Sequence, residues 1–117
     1  DETFSRWPKQ PGSLKTRGDA KHFIDLYDDS VRFTDDNIGL IVAWLKEQGL
    51  YGDDLAIIIT ADHGEDLGEF GVYGEHGMAD EPVCHIPLII RWPGAEGGRR
   101  IKGFYDNTDL LPTVKAL

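Results

Sequence analysis

The sequence predicts an α/β fold that forms one part of a larger sheet. Apolar residues recur at steps of three and four between Phe23 and Leu45, which indicates an amphipathic helix over residues 19–48. Two short apolar runs, at residues 55–60 and 86–91, indicate strands. A polar loop separates the two runs, and a second helix is expected from residue 108. This order of helix, strand, loop, strand and helix is an α/β pattern.

The long helix has recognisable ends. Asp19 is expected to cap its start, and Gly49 is expected to end it. The polar face carries mainly acidic side chains, which we interpret as a solvated helix surface. Residues 1–18 contain two prolines and two glycines, so we interpret them as an irregular lead-in and residues 19–117 as the folded part.

The two apolar runs are expected to be neighbouring strands with the long helix packed against them. The isoleucine-rich run at 55–60 is typical of a strand buried on both faces, so parallel pairing is favoured over antiparallel pairing. Two or three strands would leave the edges of such a sheet exposed, so the chain is expected to be a fragment of a larger domain. Residues 101–105 are expected to form a short strand, and Asn107 or Thr108 to cap the last helix.

Composition limits the function classes. The formal net charge of -9 argues against a nucleic-acid partner, because phosphate backbones require basic patches. A bound cation would reverse the local field if the substrate were anionic. No apolar run approaches the roughly 18 residues of a membrane span. The single cysteine, Cys84, excludes an intrachain disulfide, while the compartment and a homo-oligomeric state are left open.

The segment after the first strand carries the chemistry. Asp62 and His63 follow the strand at once, and ligands of open α/β sheets bind outside the carboxyl ends of strands. Both residue types are competent metal ligands, and Gly64 allows the backbone turn that would bring them to one ion. Alternatively, Asp62 caps a turn and His63 makes an ordinary polar contact. A second histidine, His76, in the same glycine-rich loop favours a metal or anion site.

The loop over residues 64–82 is expected to be mobile or partly disordered. It contains six carboxylates and few apolar residues. Their mutual repulsion and the length of the connection favour this interpretation.

An ordered set of motifs resembles the sulfatases of the alkaline phosphatase superfamily over roughly residues 22–117. No single motif is decisive, but the order is specific. The motifs are Asp28-Asp29-Ser30-Val31, Asp36-Asn37-Ile38-Gly39, Leu45, Gln48-Gly49-Leu50, Thr60-Ala61-Asp62-His63-Gly64-Glu65, Tyr73-Gly74-Glu75-His76-Gly77, Ile86-Pro87-Leu88-Ile89-Ile90-Arg91-Trp92-Pro93-Gly94 and Asp109-Leu110-Leu111-Pro112-Thr113.

The resemblance implies a role for three residues and a cofactor. Asp62 matches a metal-binding carboxylate, and His63 matches a position that binds the metal or contacts the leaving side of the substrate. His76 matches a catalytic histidine that contacts the sulfate or the leaving oxygen. The cofactor is expected to be a divalent metal ion; Ca²⁺ fits a carboxylate-rich site best, and Mg²⁺, Mn²⁺ and Zn²⁺ stay open.

Two departures from the family pattern bear on function. The family often has a lysine shortly after the second histidine, and residues 78–84 contain none, so a phosphate or phosphonate ester stays open as the substrate. The family's nucleophile lies in a Cys/Ser-x-Pro-x-Arg pattern, which this chain lacks. Cys84 is followed by His85-Ile86-Pro87-Leu88, so we interpret it as a buried or half-buried structural thiol.

The resemblance therefore implies a partial alkaline-phosphatase-like sheet with flanking helices, from the C-terminal part of a sulfatase catalytic domain. The intact protein is expected to hydrolyse a small-molecule sulfuric ester with a bound metal, and the isolated chain to be inactive. The alternatives are a phosphoesterase, a phosphonate monoester hydrolase or a phosphotransferase of the same superfamily, or a non-catalytic folded fragment.

Overall fold

The computed structural model of this chain describes residues 14–116, and it confirms an α/β arrangement. Three helices and two strands follow one another as α1 (Arg17–Glu47), β1 (Ile57–Thr60), α2 (Glu81–Cys84), β2 (Leu88–Arg91) and α3 (Asn107–Ala116). A 3₁₀ turn, Glu69–Gly71, lies inside the loop between β1 and α2. Most of the expected lead-in lies outside the described residues, so the division of the chain at residue 18 stays a prediction.

Helix α1 begins earlier than expected, at a capping box. The Thr16 hydroxyl accepts the backbone N–H of Asp19 at 3.1 Å, and the Asp19 carboxylate accepts the backbone N–H of Thr16 at 2.8 Å. Thr16 is therefore the N-cap, and Asp19, predicted to be the cap, is the third helical residue that completes the box. At the other end Gly49 follows the C-cap with a φ of 68°, as expected of a glycine that ends a helix.

The two strands pair with each other, but they run antiparallel. Ile57 lies opposite Arg91, and Thr60 lies opposite Leu88. The parallel pairing favoured by the sequence is therefore wrong. Parallel neighbours need a crossover, usually through a helix, whereas the connection here contains only a 3₁₀ turn and the four-residue α2.

Arg91 fixes the turn after α1 to strand β2. Its guanidinium donates hydrogen bonds to the carbonyl oxygens of Leu55 and Gly52, the latter at 2.8 Å. The same group lies over the Tyr51 ring, 4.4 Å from its centroid. This contact orients β1, whose far end carries the candidate site.

The expected packing of α1 against the sheet is wrong for the described residues. No residue of α1 is buried, and Phe33 is 70% exposed. The helix instead meets the loop, where the Phe23 and Tyr73 rings make an edge-on contact with centroids 6.3 Å apart. Strand β2 is also open to solvent, since its residue Ile89 is 60% exposed.

The C-terminal segment differs from the expectation in two details. Residues 101–105 form no strand. Helix α3 begins at Asn107 itself, and Asp106 provides the cap by accepting the backbone N–H of Thr108 at 2.8 Å. Between residues 14 and 116, no helix combines the length and the apolar character that crossing a membrane would require.

Candidate active site

Asp62 is the first side chain of the candidate site, two residues beyond the end of β1. Its Oδ1 atom accepts the backbone N–H of His63 at 3.0 Å. This hydrogen bond is the main cause that holds the pKa of Asp62 below its ordinary value. The carboxylate is therefore ionised at neutral pH, and its side chain is 90% exposed and open to a ligand.

His63 places its Nε2 atom beside the carboxylate of Asp62. Its Nδ1 atom lies 2.8 Å from the carbonyl oxygen of Gly64. If Nδ1 carries the proton and donates to this carbonyl, Nε2 keeps its lone pair for a metal. Nε2 lies 3.8 Å from Oδ2 of Asp62, so both predicted ligand atoms can face one ion.

The second histidine joins this group. The His76 ring stacks on the His63 ring, with centroids 4.3 Å apart and planes 12° from parallel. The structure thus brings together Asp62, His63 and His76 at the carboxyl end of β1, as the sequence predicted. Their chemical roles stay predictions.

Glu65 is a member of the site that the sequence analysis missed. Its Oε2 atom lies 3.4 Å from Nδ1 of His76, and its side chain is only 21% exposed. One ligand atom from each of His63, Glu65 and His76 lies within 4.8 Å of the others. The spacing could have indicated this, because residues two apart in an extended segment point to the same side.

The loop that holds the two histidines together is folded, which corrects the expectation of a mobile or partly disordered segment. The N–H of Gly64 donates to the carbonyl of Val83 at 2.7 Å, which joins the two ends of the loop. The N–H of Asp66 donates to Glu75 at 3.0 Å, and that of Gly74 donates to Asp66 at 2.9 Å. These bonds, together with buried Val83, offset the repulsion among the carboxylates.

Gly64 is required by close packing rather than by its backbone angles. A Cβ atom at this position would clash with the carbonyl oxygen of Pro82. The absence of a side chain lets the segment after β1 approach α2, and this approach places His63 and Glu65.

Cys84 is exposed, so its interpretation as a buried or half-buried thiol is wrong. It is the last residue of α2, whose inward side is occupied by Val83. Adjacent helical residues point in different directions, and the thiol therefore faces outward.

The donor set fits a divalent cation. Two imidazoles and two carboxylates converge beyond one strand end, and imidazole and carboxylate are common ligands of Zn²⁺ and Mn²⁺. Asp62 lies beside His63, and Glu65 lies beside His76. Such an arrangement can bind a cation beside a histidine that is able to exchange a proton.

Comparison with known proteins identifies the class. The family model described as Sulfatase matches residues 2–117, so the chain belongs to the sulfatase family. It is 33% identical, over 96% of its length, to the multifunctional alkaline phosphatase superfamily protein PehA of Trinickia caryophylli. It is 39% identical, over 97% of its length, to the phosphatidylethanolamine transferase Mcr-2 of Escherichia coli. Arylsulfatase K of Bos taurus is 27% identical over 95% of the chain.

The chain spans about a fifth of the length of these relatives: 22% of PehA, 19% of Mcr-2 and 20% of arylsulfatase K. No solved structure matches it significantly.

Proposed function

We propose that this chain supplies one half of the active site of a metal-dependent hydrolase that cleaves sulfuric esters. The observation that carries the proposal is the convergence of Asp62, His63, Glu65 and His76 at the end of β1. Membership of the sulfatase family supports the assignment to ester cleavage.

Asp62 and His63 are the proposed metal ligands. A divalent cation bound there would stabilise the negative charge that develops on the ester oxygens. Ca²⁺ was favoured by the number of carboxylates, but it prefers oxygen ligands. The imidazole of His63 shifts the preference toward Zn²⁺ or Mn²⁺.

His76 is proposed as the group that donates a proton to the leaving oxygen. A nucleophile from outside this chain would form the new bond to sulfur while the bond from sulfur to the ester oxygen breaks. The proton on His76 would pass to that oxygen, so the alcohol leaves neutral. Glu65, 3.4 Å from Nδ1, would orient the ring.

A second candidate is transfer or hydrolysis of a phosphate or phosphonate ester by the same groups. Two observations favour it. Residues 78–84 contain no lysine to contact a sulfate, and two phosphatidylethanolamine transferases are among the relatives, at 39% and 35% identity. Both candidates use Asp62, His63 and His76 in the same roles and differ in the atom that is attacked.

The test compares aryl sulfate, aryl phosphate and aryl phosphonate substrates with the intact protein. We expect the aryl sulfate to give the highest kcat/KM, and His76→Ala to lower kcat by about 10²–10⁴-fold, the range of general acid catalysis. The matched control is His85→Ala, because that side chain is 78% exposed and lies at the end of α2, outside the site. A higher kcat/KM for a phosphate or phosphonate ester would select the second candidate.

Metal content separates the two roles that the geometry allows for His76. The proposal expects His76→Ala to retain its metal and lose turnover. If the metal were lost as well, His76 would be a ligand, and its role as a proton donor would have to be abandoned.

A further inference from the structure

A single side chain connects the start of α3 with the candidate active site. The Nδ2 atom of Asn107 donates a hydrogen bond to the main-chain carbonyl oxygen of Asp62, 45 positions earlier in the chain, and the two atoms lie 3.5 Å apart. Within residues 14–116, no second donor reaches this carbonyl. The Asn107 amide therefore contacts the backbone of the segment that carries the proposed metal ligands.

The carbonyl that Asn107 contacts belongs to the peptide group between Asp62 and His63. The N–H of the same peptide group donates to Oδ1 of Asp62 at 3.0 Å. A peptide group is planar, so its carbonyl and its N–H rotate together. A hydrogen bond that holds the carbonyl therefore also fixes the N–H that orients the Asp62 carboxylate.

This peptide group also joins the Cα atoms of the two proposed ligands. Rotation of its plane would change the 3.8 Å separation between Oδ2 of Asp62 and Nε2 of His63. Packing restrains these side chains little, since 90% of Asp62 and 42% of His63 is exposed. The restraint on both ligands must therefore come mainly from the hydrogen bonds of the backbone between them.

The start of α3 holds Asn107 in place. Asp106 Oδ1 accepts the backbone N–H of Thr108 at 2.8 Å and its hydroxyl at 2.7 Å. In return, the Asp109 carboxylate accepts the backbone N–H of Asp106 at 3.2 Å, and the N–H of Asp109 donates to the Asp106 carbonyl at 2.9 Å. None of these bonds uses the side chain of Asn107, so its amide is available to the site.

We propose that Asn107 is a positioning residue, which anchors the peptide group between Asp62 and His63 and so keeps both ligands directed at one cation. The inference rests on the proposed metal-binding role of these two ligands. Asparagine suits the task because its amide donates without carrying charge. At 3.5 Å the hydrogen bond is long, so we expect it to contribute little to total stability and to act mainly on the orientation of the ligands.

The test measures the affinity of the intact protein for Zn²⁺ and for Mn²⁺ by calorimetric titration after chelation. The variants are Asn107→Ala and Asn107→Leu, of which the second keeps the size of the side chain but has no donor. Alanine and leucine both favour helices, so α3 should form in both variants. The matched control is Asn37→Ala, because the Asn37 amide donates to the Phe33 carbonyl at 2.7 Å within α1.

We expect both Asn107 variants to bind metal about tenfold more weakly, at the lower end of the roughly 10–100-fold range for groups that orient metal ligands. Asn37→Ala should keep the wild-type affinity. The Tm of each metal-free variant should fall by less than about 2 °C, because one exposed hydrogen bond contributes little. Excess metal should restore kcat in the Asn107 variants, since Asn107 takes no part in the chemical step.

Hydrogen exchange of the metal-free protein, followed by mass spectrometry, gives a second readout that does not depend on the proposed function. The His63 amide should exchange faster in Asn107→Ala than in the wild type or in Asn37→Ala, because its peptide group has lost its anchor. If the wild-type protein binds neither metal, the proposed function fails, and the exchange at His63 alone decides whether Asn107 is the anchor.

Three results would overturn the proposal. One is an unchanged affinity for both metals in Asn107→Ala and Asn107→Leu, and another is an unchanged exchange rate of the His63 amide. The third is a loss of metal affinity that Asn37→Ala shares, since the effect would then be one of general stability.

Discussion

At the scale of single residues, the site depends on how closely the segment after β1 approaches α2. Gly64 allows this approach, because any side chain there would meet the Pro82 carbonyl. The neighbouring hydrogen bond from Gly64 to Val83 then fixes the distance between the two ends of the loop. The positions of His63 and Glu65 follow from this one contact.

Gly64→Ala should therefore destabilise the intact protein and lower its activity. The added Cβ has no room and must displace backbone, which should cost roughly 1–3 kcal/mol of unfolding free energy, as overpacking does. The control is Gly77→Ala in the same loop, where a Cβ meets nothing within 4 Å. Denaturant unfolding of both variants is the measurement. Equal stability of the two would show that the contact with Pro82 is unimportant.

At the scale of elements, the N-terminal capping box of α1 is sensitive to pH. The backbone N–H groups of Lys15 and Thr16 hold the pKa of Asp19 below its ordinary value of 3.8. A carboxylate whose pKa is lower in the folded state contributes stability above the unfolded pKa and loses it as the pH falls through the folded pKa. The capping box should therefore be intact at neutral pH and open only below pH 3.8.

Following the amide resonances of Thr16 and Asp19 by NMR during acid titration checks this expectation. Both should shift with a midpoint below 3.8, and Asp19→Asn should abolish that transition. A midpoint at or above 3.8 would contradict the capping role of the Asp19 carboxylate.

Local pattern was sufficient to predict where the elements lie, but not how they pair. The periodicity from Phe23 to Leu45 and the apolar runs located α1, β1 and β2 to within a few residues. The direction of pairing depends on the path of the connection. The carboxylates of the loop over residues 64–82 suggested disorder. Backbone hydrogen bonds and the burial of Val72 instead give this loop a defined fold.

Some residues of the candidate site could likewise be predicted from the sequence, and others could not. Asp62, His63 and His76 were visible because motif residues after a strand and between glycines carry their own signal. Glu65 was hidden among six loop carboxylates, and the fold of the loop separates it from the others.

At the scale of the whole molecule, this chain exposes much of its apolar surface. The helix α1 has no buried residue, and Leu88, Ile89 and Ile90 of β2 are all open to solvent. Relatives of the sulfatase family are about five times longer, as the coverage of 22% and 19% shows. This exposed apolar surface supports the prediction that the chain is a fragment of a larger domain.

The isolated 117-residue chain should not turn over aryl sulfates or aryl phosphates above background. The physical reason is that two proposed metal ligands and one proton donor cannot attack sulfur or phosphorus without a nucleophile. Steady-state assays of the purified chain provide the measurement. Turnover that disappears on Cys84→Ala would contradict both this expectation and the view that the exposed thiol has no catalytic role.

The central claim is that the group beyond β1 binds a metal that serves ester cleavage, and the content of zinc and manganese in the intact protein tests it most directly. We expect purified wild-type protein to retain one such ion per active site through dialysis. Asp62→Ala and His63→Ala should lose it together with turnover, whereas the controls Asp53→Ala and His85→Ala should keep both. Retention of the metal by both Asp62→Ala and His63→Ala would contradict the claim.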